Sequence, residues 1–492
     1  MSRQEQIINE RKRKLEELKK QGINPYPYKF DVKNNSKEIK EKYKDLKDNE
    51  KIKDKVSVAG RVMTIRNLGK LIFATIQDSC GRLQFVLQKG ETNKESFELF
   101  KKYIDIGDII GCQGGIIKTK TGEVSVLVKK IELLSKSLLP LPEKWHGIQD
   151  KEDRYRKRYL DIIMNPDVKE VFIKKSKFWN TIRNFFLERE FLEVETPVLE
   201  ASAGGATATP FKTHHNALDM DVYLRISMGE LWQKKLMVAG YGKTFEIGRQ
   251  FRNEGMDIEH LQDYSQMEFY WAYADYNNGM KLVEELYKKI AKEVLGTLKF
   301  ETHGYNIDLG KKWELYDYEK IIKKYTGIDI YKASEKIIKE KLNELKVEYD
   351  KNSDKWRLVD ILWKYCRKKL AGPGFLTGHP VEVEPLAKRI PDNLKKVEEF
   401  QVIIAGSEIG KGYSELNDPL DQEQRFIEQV KLKEKGDTEA QEHDKEFVEA
   451  LKYGMPPTCG FGVSERLFSY LVDKSIRECV IFPLVKPLDE KK

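Results

Sequence analysis

Five short segments between Val56 and Leu134 alternate apolar and polar residues, and this pattern restricts the fold of the chain more than any other. They read VSVAGRV, FATIQD, LQFVLQK, DIIGCQGGII and EVSVLVKKIELL, and turn segments containing glycine separate them. Alternation with a period of two is typical of strands that bury one face. Five such strands predict a small closed barrel.

A barrel of this size is typical of the oligonucleotide-binding (OB) fold, whose strand face and loops bind nucleic acid. An unrelated five-stranded barrel is the alternative. Arg66, Phe73, Gln84 and Glu123 would supply this barrel with a cation, a stacking ring and two hydrogen-bonding groups. Such groups can read unstacked single-stranded bases, although each of them alone is more often an ordinary strand or surface residue.

The length of the chain and one proline-containing stretch indicate two domains. The 492 residues exceed the usual size of a single domain. Residues 138–161, LLPLPEKWHGIQDKEDRYRKRYLD, place prolines ahead of a charged run, which is typical of a linker. We therefore predict an N-terminal domain over residues 1–150, which begins with a basic helix over 3–20, and a larger domain over 151–492.

The larger domain mixes helices and strands. Its apolar periodicity predicts helices over 177–190 and 277–295 and strands over 191–197, 243–255 and 264–274. This order indicates an α+β domain with a mainly antiparallel sheet. Residues 310–370 are rich in lysine and predict a helical insertion without a recognisable chemical motif.

Composition narrows the cellular context. The formal charge of +8, from 88 basic and 80 acidic residues, permits a polyanionic partner without requiring one. The chain has no apolar run long enough for a membrane span, and its N-terminus is charged where a signal peptide is apolar, so we expect a cytoplasmic protein without a membrane partner. Five scattered cysteines without a CxxC spacing disfavour a disulfide framework and a zinc site.

Two neighbouring motifs of the larger domain carry candidate site residues. In FRNEG, Arg252 and Glu254 are two positions apart, so on a strand both would point to one face. In QMEFYW, Glu268 and Tyr270 repeat this spacing, and His260 lies between the two motifs. The pattern predicts a ligand-binding hairpin, although an Arg-x-Glu pair alone is usually a cross-strand ion pair.

A third motif, GMPPTCGFGVSERLF, places Gly460 and Gly462 just before a predicted helix that carries Arg466. Glycines at such a position allow the backbone to approach a ligand closely. Together the motifs resemble those of class II aminoacyl-tRNA synthetases. The chain is most similar to the bacterial type of lysyl-tRNA synthetase, through GKLIFATIQD, KTKTGE, LPLPEKWHGIQDKEDRYRKRYLD, FLEVETPVLEASAGGATATPFKTHHNALDMDVYLRI, FRNEG, SELNDPLDQ and SIRECVIFP.

The resemblance implies a two-step reaction. Lysine and ATP form lysyl-adenylate and pyrophosphate, and the lysyl group then passes to the terminal ribose of tRNA(Lys). Arg252 and Arg466 are the implied catalytic residues. The implied ATP site consists of Arg252, Glu254, His260, Tyr264, Glu408 and Arg466.

The resemblance also implies the other binding sites. The lysine site would consist of Gly205, Glu230, Glu268, Tyr270, Lys411, Tyr413 and Glu415. The anticodon would contact Arg66, Phe73, Gln84 and Glu123 in the barrel. Magnesium would be held at Glu408 and Gln401, and a homodimer would form partly through the helix and strand that end at Pro197.

Several positions depart from the family pattern, among them Leu261 and Glu465, and two of them bear directly on the predicted site. Gln401 replaces a glutamate, which implies fewer or weaker magnesium sites because an amide is the poorer ligand. Lys411 replaces an asparagine and shares a strand face with Tyr413 and Glu415. Its ammonium would contact the substrate carboxylate, or it would compete with the substrate for Glu415. Glu408 has the opposite parity, which a bulge would correct.

Three other functions are alternatives. An aspartyl- or asparaginyl-type synthetase would use Lys411 as the cation for an acidic substrate, but Glu230, Glu268 and Glu415 would repel that substrate. A catalytically inactive tRNA-binding paralogue would explain Gln401 and Lys411 but not the retained Arg252. A ligase that attaches lysine to a protein would not need the barrel.

Overall fold

The computed structural model describes residues 2–142, 148–202, 205, 208–351, 353–434 and 443–488. Two compact units divide the chain, Met1–Arg154 and Tyr155–Lys492. Residues 143–147 of the predicted linker, and residues 203–204 and 206–207 of one family motif, lie outside the described residues. Each unit has its own hydrophobic core.

The first unit is built on a closed five-stranded barrel, which confirms the predicted fold class. Its strands are β1 Lys51–Asn67, β2 Leu71–Gln77, β3 Arg82–Gln88, β4 Ile109–Lys118 and β5 Val124–Ser135. They follow the order β1-β2-β3-β5-β4, and β1 pairs with β4 to close the barrel. The pairing of β3 with β5 is parallel, whereas the other pairs are antiparallel.

Three helices accompany the barrel: α1 Arg3–Lys20, α2 Ser36–Lys42 and α3 Lys94–Tyr103. The basic helix over 3–20 was predicted correctly, and a capping box of Ser2 and Glu5 begins it. The sequence reasoning missed α3. The Asn93 side chain caps it by accepting from the backbone N–H of Glu95 at 2.8 Å, and Phe97 packs into the barrel core.

The remaining chain alternates helices and strands. Its helices are α4 Lys151–Arg156, α5 Arg158–Met164, α6 Pro166–Leu187, α7 Glu230–Val238, α8 Tyr276–Leu295, α9 Tyr318–Thr326, α10 Glu335–Glu344, α11 Lys355–Arg367, α12 Pro419–Glu434, α13 Lys445–Lys452 and α14 Arg466–Leu471, with a 3-10 helix at Val381–Val383. Its strands are β6 Leu192–Glu193, β7 Leu199–Glu200, β8 Lys212–His215, β9 Met220–Leu224, β10 Lys243–Phe251, β11 Asp263–Ala272, β12 Lys299–Thr302, β13 Tyr305–Asp308, β14 Glu314–Asp317, β15 Gly374–Thr377, β16 Arg389–Ile390, β17 Asn393–Val397, β18 Glu399–Ile404, β19 Ser407–Ser414 and β20 Thr458–Ser464.

An eight-stranded sheet organises the second unit, in the order β14-β15-β18-β19-β20-β11-β10-β6. It is antiparallel except for its two edge pairs, as the sequence predicted. The aromatic side chains of α6, including Phe178 and Phe186, pack with α8 and the sheet into one core. Phe186 stacks on Phe245 of β10 with ring centroids 5.2 Å apart. The helix predicted at 277–295 is α8, which ends at Gly296 in the left-handed conformation.

Two sequence predictions need correction. The strand predicted over 191–197 pairs only at β6, because Thr196 donates its backbone N–H and its hydroxyl to the Glu246 carboxylate instead of to a strand. The segment 310–370 was predicted to be a helical insertion. It does form α9, α10 and α11, but it also supplies β14, which extends the main sheet.

No helix among the described residues combines the length and the apolar character that crossing a membrane requires.

Candidate active site

A cavity of about 380 Å³ opens on the sheet of the second unit where β11, β20 and β19 lie side by side. Of the residues that the sequence assigned to catalysis, ATP, lysine and metal in this unit, only Gln401 is absent from its lining. The lining includes Gly205, Glu230, Arg252, Glu254, His260, Tyr264, Glu268, Tyr270, Glu408, Lys411, Tyr413, Glu415 and Arg466.

Two glycines of β20 form the floor of the cavity. Gly460 pairs with Tyr270 on one side and with Tyr413 on the other. A Cβ atom on Gly460 would lie 2.0 Å from Glu415 Oε1, and one on Gly462 would lie 3.1 Å from Glu268 Cγ. The missing side chains therefore leave the space into which these carboxylates project.

One end of the cavity holds two carboxylates bridged by a lysine. Lys234 Nζ lies 2.8 Å from Glu230 Oε1 and 2.6 Å from Glu415 Oε2, and its side chain is 1% exposed. Tyr413 donates its hydroxyl to the same Glu230 oxygen. Burial alone would lower the pKa of Lys234, but the two carboxylates hold it above its ordinary value, so Lys234 is a cation.

Glu268 is the third buried carboxylate of this end. It accepts from the backbone N–H of Met228 at 3.1 Å, from Gln266 Nε2 at 2.6 Å and from the Tyr270 hydroxyl at 3.1 Å. Burial, followed by the charge of Glu230, raises the pKa of Glu268 above its ordinary value. Burial also raises the pKa of Glu415 despite the nearby Lys234. Both carboxylates would gain from a cationic ligand.

Gly205 lies beside this end of the cavity with a positive φ of 81°. A Cβ atom there would be 2.8 Å from Ser227 Oγ and 3.0 Å from Glu230 Cβ. The close approach explains why the main chain, and not a side chain, faces the cavity at this position.

Lys411 has a partner that the sequence reasoning did not identify. Its Nζ forms an ion pair with the buried Glu384, which also lines the cavity. Desolvation alone would lower the pKa of Lys411, but Glu384 and Glu399 hold it above its ordinary value. Glu415 pairs with Lys234 in this structure, and the predicted competition of Lys411 with the substrate for Glu415 stays a prediction.

The expected bulge beside Lys411 is present. Gln401 of β18 lies opposite Lys411, but Ile403 lies opposite Glu408, so β19 contains one extra residue between these pairs. The extra residue changes the parity of the strand. Glu408 and Lys411 therefore both reach the cavity.

The opposite end of the cavity holds the predicted nucleotide residues, with one correction. Arg252 and Glu254 lie beyond the end of β10 at Phe251, and not on a strand, because the backbone N–H of Glu254 bonds back to the Arg252 carbonyl at 2.9 Å. Both side chains still line the cavity with His260. The Arg252 guanidinium lies 5.9 Å from the centroid of the Tyr264 ring.

Arg466 begins α14 and reaches across to β19. Its Nη2 donates to the backbone carbonyl of Glu408 at 2.6 Å and lies 3.5 Å from Glu259 Oε2. Glu259 also lines the cavity and accepts from the Tyr470 hydroxyl at 2.9 Å. The position of this guanidinium is therefore fixed from two sides.

The Glu408 carboxylate is held by the segment that the sequence left without a chemical role. Trp363 Nε1 of α11 donates to Glu408 Oε1 at 2.6 Å, and Arg367 Nη1 lies 3.0 Å from the same oxygen. Burial would raise the pKa of Glu408, but Arg367, Trp363 and Arg466 hold it below its ordinary value. Glu408 is therefore a stable anion at neutral pH.

Gln401 lies outside the cavity lining, and its Nε2 donates to Glu399 Oε1 at 3.1 Å. Within the described part of the chain, no group of three or more His, Cys, Asp and Glu side chains could hold a metal ion. Magnesium is commonly bound by one or two carboxylates together with substrate phosphates. Glu408 fits that role because both of its side-chain contacts go to Oε1 and the side chain is 27% exposed.

The four candidate nucleic-acid residues come together on the outside of the barrel. Arg66 of β1 lies opposite Phe73 of β2, and Gln84 of β3 pairs with Thr75, two residues along β2 from Phe73. Gln84 Nε2 donates to Glu123 Oε2 at 3.1 Å. Alternate residues of β2 and β3 face the core, so Phe73 and Gln84 lie on the accessible face, and Arg66 and Glu123 are exposed beside them.

The sequence reasoning missed several residues that shape the site. Lys234 is four positions after Glu230 on α7, a spacing at which helix side chains meet, so it could have been found. Glu384, Trp363 and Arg367 carry no local signal, because their partners are distant in the sequence.

Known proteins are similar to this chain over both units. Residues 150–486 match the family "tRNA synthetases class II (D, K and N)", and residues 56–134 match the OB-fold nucleic acid binding domain. A lysine–tRNA ligase from Thermotoga maritima is 45% identical over 481 residues, which cover 97% of this chain and 95% of that protein. Lysine–tRNA ligases from Carboxydothermus hydrogenoformans and Thermoanaerobacter pseudethanolicus are 43% and 44% identical, over 98% and 99% of this chain and 99% and 97% of those proteins.

Proposed function

This chain belongs to the lysine–tRNA ligase family of class II tRNA synthetases, and we propose how its residues perform the reaction of that family. The enzyme activates lysine with ATP and attaches it to tRNA. The anionic end of the cavity is the observation that carries the residue assignment. There, the side chains of Glu230, Glu268 and Glu415 line the cavity, and the buried Lys234 pairs with Glu230 and Glu415.

The charge of this end matches the substrate. When its three carboxylates are ionised, Lys234 balances one of them and a formal charge of −2 remains. Lysine carries two ammonium groups, the α-ammonium group and the ε-ammonium group at the end of its side chain. We assign the α-ammonium group to Glu230 and Glu268 and the ε-ammonium group to Glu415, with Tyr270, Tyr413 and the Gly205 main chain completing the pocket. Lys411 belongs to the wall of this pocket as the charge paired with Glu384.

The first step requires positioning more than proton transfer. A carboxylate oxygen of lysine attacks the α-phosphorus of ATP, a new O–P bond forms, and the bond to pyrophosphate breaks. The attacking carboxylate is already ionised at neutral pH, so no general base is needed. We assign Arg252 to the α-phosphate and the substrate carboxylate, and Arg466 to the far end of the triphosphate.

The nucleotide site and the magnesium assignment rest on the other end of the cavity. Glu254, His260 and Tyr264 surround the nucleotide, and Glu408 is the carboxylate that would hold Mg²⁺ together with the ATP phosphates. When bound, the ion neutralises charge on the phosphates. The place of Gln401 outside the cavity supports a site in which Glu408 is the protein ligand.

We assign the recognition of tRNA(Lys) to the barrel. Arg66, Phe73, Gln84 and Glu123 would contact the anticodon, because a partly exposed ring, a cation and paired hydrogen-bonding groups close together on the barrel suit unstacked bases. The enzyme would act in the cytoplasm, where charged tRNA enters translation.

We also propose a homodimer that forms partly through α6 and the segment ending at Pro197. Several large apolar side chains around this segment are exposed, which supports an interface there: Leu187, Leu192, Val198 and Leu199. Sedimentation of the purified protein should give twice the chain mass, and a monomer at working concentration would reject this assignment.

ATP–pyrophosphate exchange with a panel of amino acids tests the proposed function. Exchange should respond to lysine, and charging should follow when total tRNA is added. Exchange with aspartate or asparagine in place of lysine would instead assign the chain to the related synthetases. Absence of exchange with any amino acid would indicate an inactive tRNA-binding protein.

A further inference from the structure

The wall of the lysine pocket itself contains a lysine. The ammonium of Lys411 is paired with Glu384, and the two side chains differ greatly in exposure, 46% for Lys411 and 6% for Glu384. Both line the cavity. The pair therefore consists of a cation that is open to the cavity and a buried carboxylate that holds it.

Without this partner, Lys411 would have another attractive carboxylate within reach. Lys411 and Tyr413 are two positions apart on β19, so their side chains leave one face of the strand about 7 Å apart. The Tyr413 hydroxyl contacts Glu230, and the charge of Glu230 already acts on the Lys411 ammonium. A lysine side chain has a long flexible stem that can change its partner. An ammonium at Glu230 would occupy the place of a substrate ammonium group.

Glu384 is well placed to prevent this because its backbone is fixed. Its carbonyl accepts from Nη1 of the buried Arg425 at 3.2 Å, and Pro385 follows it. The next residues are bonded to the segment that follows β19, where Leu416 donates its N–H to the Leu386 carbonyl at 3.0 Å. The backbone of Glu384 is therefore anchored in the wall of the cavity, and its carboxylate keeps the ammonium near that wall.

We propose that Glu384 is a positioning residue that holds the Lys411 ammonium away from Glu230 and thereby keeps the lysine pocket open to its substrate. This role rests on the proposed lysine pocket. It explains how a lysine is accommodated in the wall of a site that must bind free lysine. Glu384 contacts Lys411 in this structure, so we expect its effect on the reaction to pass through Lys411.

A double-mutant cycle between E384Q and K411N tests the proposal by steady-state ATP–pyrophosphate exchange. In the otherwise unchanged enzyme, E384Q should raise the KM for lysine about tenfold and leave the KM for ATP unchanged, because the released ammonium competes with lysine alone. In the K411N background, E384Q should change the KM for lysine by less than about twofold. Glu382→Gln, in the neighbouring 3-10 helix, is the control for removing a nearby carboxylate.

The cycle has results that overturn the proposal. An unchanged or lowered KM for lysine in E384Q contradicts it, and so does an equal rise in the K411N background, which would show that Glu384 acts without Lys411. E384D keeps the carboxylate and serves as a second variant in case E384Q does not fold. It should raise the KM for lysine less than E384Q does, and only when Lys411 is present. If Glu268→Gln leaves the KM for lysine unchanged in the same assay, the lysine pocket itself is wrong, which separates that failure from failure of the Glu384 role.

Discussion

Gly460→Ala should weaken lysine binding by displacing the Glu415 carboxylate. The added Cβ atom would lie 2.0 Å from Glu415 Oε1, whereas ordinary contacts begin at 3.4 Å, so this oxygen must retreat by about 1.4 Å. The Tyr270 ring limits the movement of the new methyl group, because its Cε1 lies 2.8 Å from the same Cβ. Since Lys234 holds Glu415 at 2.6 Å, the retreat also disturbs that ion pair.

The magnitude follows from the contact that is lost. A hydrogen bond to a charged group contributes about 1.5 to 3 kcal/mol, which corresponds to a rise of about ten- to a hundredfold in the KM for lysine. Overpacking of the pocket should also lower the free energy of unfolding by about 1 to 3 kcal/mol. The KM for ATP should stay within about twofold of the original value, because the nucleotide end of the cavity is unchanged.

Exchange kinetics with lysine and ATP varied separately, together with thermal denaturation, measure these effects. Gly242→Ala is the matched control, because a Cβ atom at Gly242 would meet nothing within 4 Å and this glycine does not have a positive φ. A KM for lysine in Gly460→Ala within twofold of the original enzyme would refute the assignment of Glu415 to the substrate. Equal increases in the KM for lysine and for ATP would indicate a general distortion of the cavity.

Three further predictions concern the steps of the reaction. Arg252→Ala should abolish ATP–pyrophosphate exchange and leave tRNA binding largely intact, and near-normal exchange would remove Arg252 from the mechanism. Phe73→Ala should weaken the charging of tRNA(Lys) with exchange preserved, whereas unchanged charging kinetics would contradict anticodon recognition by the barrel. The KM for lysine should rise as the pH falls from neutral toward 4.5, the ordinary pKa of glutamate. Glu268 and Glu415 have raised pKa values, and when they are protonated they lose the charge that is assigned to the substrate ammonium groups. A KM for lysine that is independent of pH above about 5 would contradict this prediction.

Much of the fold followed from local patterns. The alternating segments of residues 56–134 predicted the barrel strands, and the apolar stripe at 277–295 predicted α8 with its end at Gly296. The helix α3 was missed because its apolar positions lie in a short segment between strands. Its start is fixed by the side-chain cap at Asn93, and its burial depends on the barrel core.

In the candidate site, too, local sequence patterns predicted some placements correctly and others wrongly. Glu268 and Tyr270 share a face of β11 because the period of a strand fixes their direction, so their meeting was predictable. The placement of Arg252 and Glu254 on a strand was wrong because a backbone hydrogen bond turns the chain after Phe251. Such a bond depends on the loop as a whole and leaves no periodic signal.

The partners of the charged side chains were the least predictable part. Glu384 meets Lys411 across 27 residues of sequence, and Trp363 meets Glu408 across 45. Only the fold of the sheet and of α11 brings these side chains together. The sequence thus marked Lys411 as a departure from the family pattern, but it could not identify Glu384 as the carboxylate that pairs with it.

The most direct test of the account compares lysine with norleucine in ATP–pyrophosphate exchange. Norleucine lacks the ε-ammonium group and is otherwise similar in shape to lysine. Only the contact between the ε-ammonium group and the carboxylates of the pocket is therefore removed. We predict that kcat/KM for lysine exceeds that for norleucine by about a thousandfold or more, because norleucine would leave a buried carboxylate at Glu415 without its ligand. Comparable values for the two amino acids would contradict the claim that the anionic end of the cavity selects lysine.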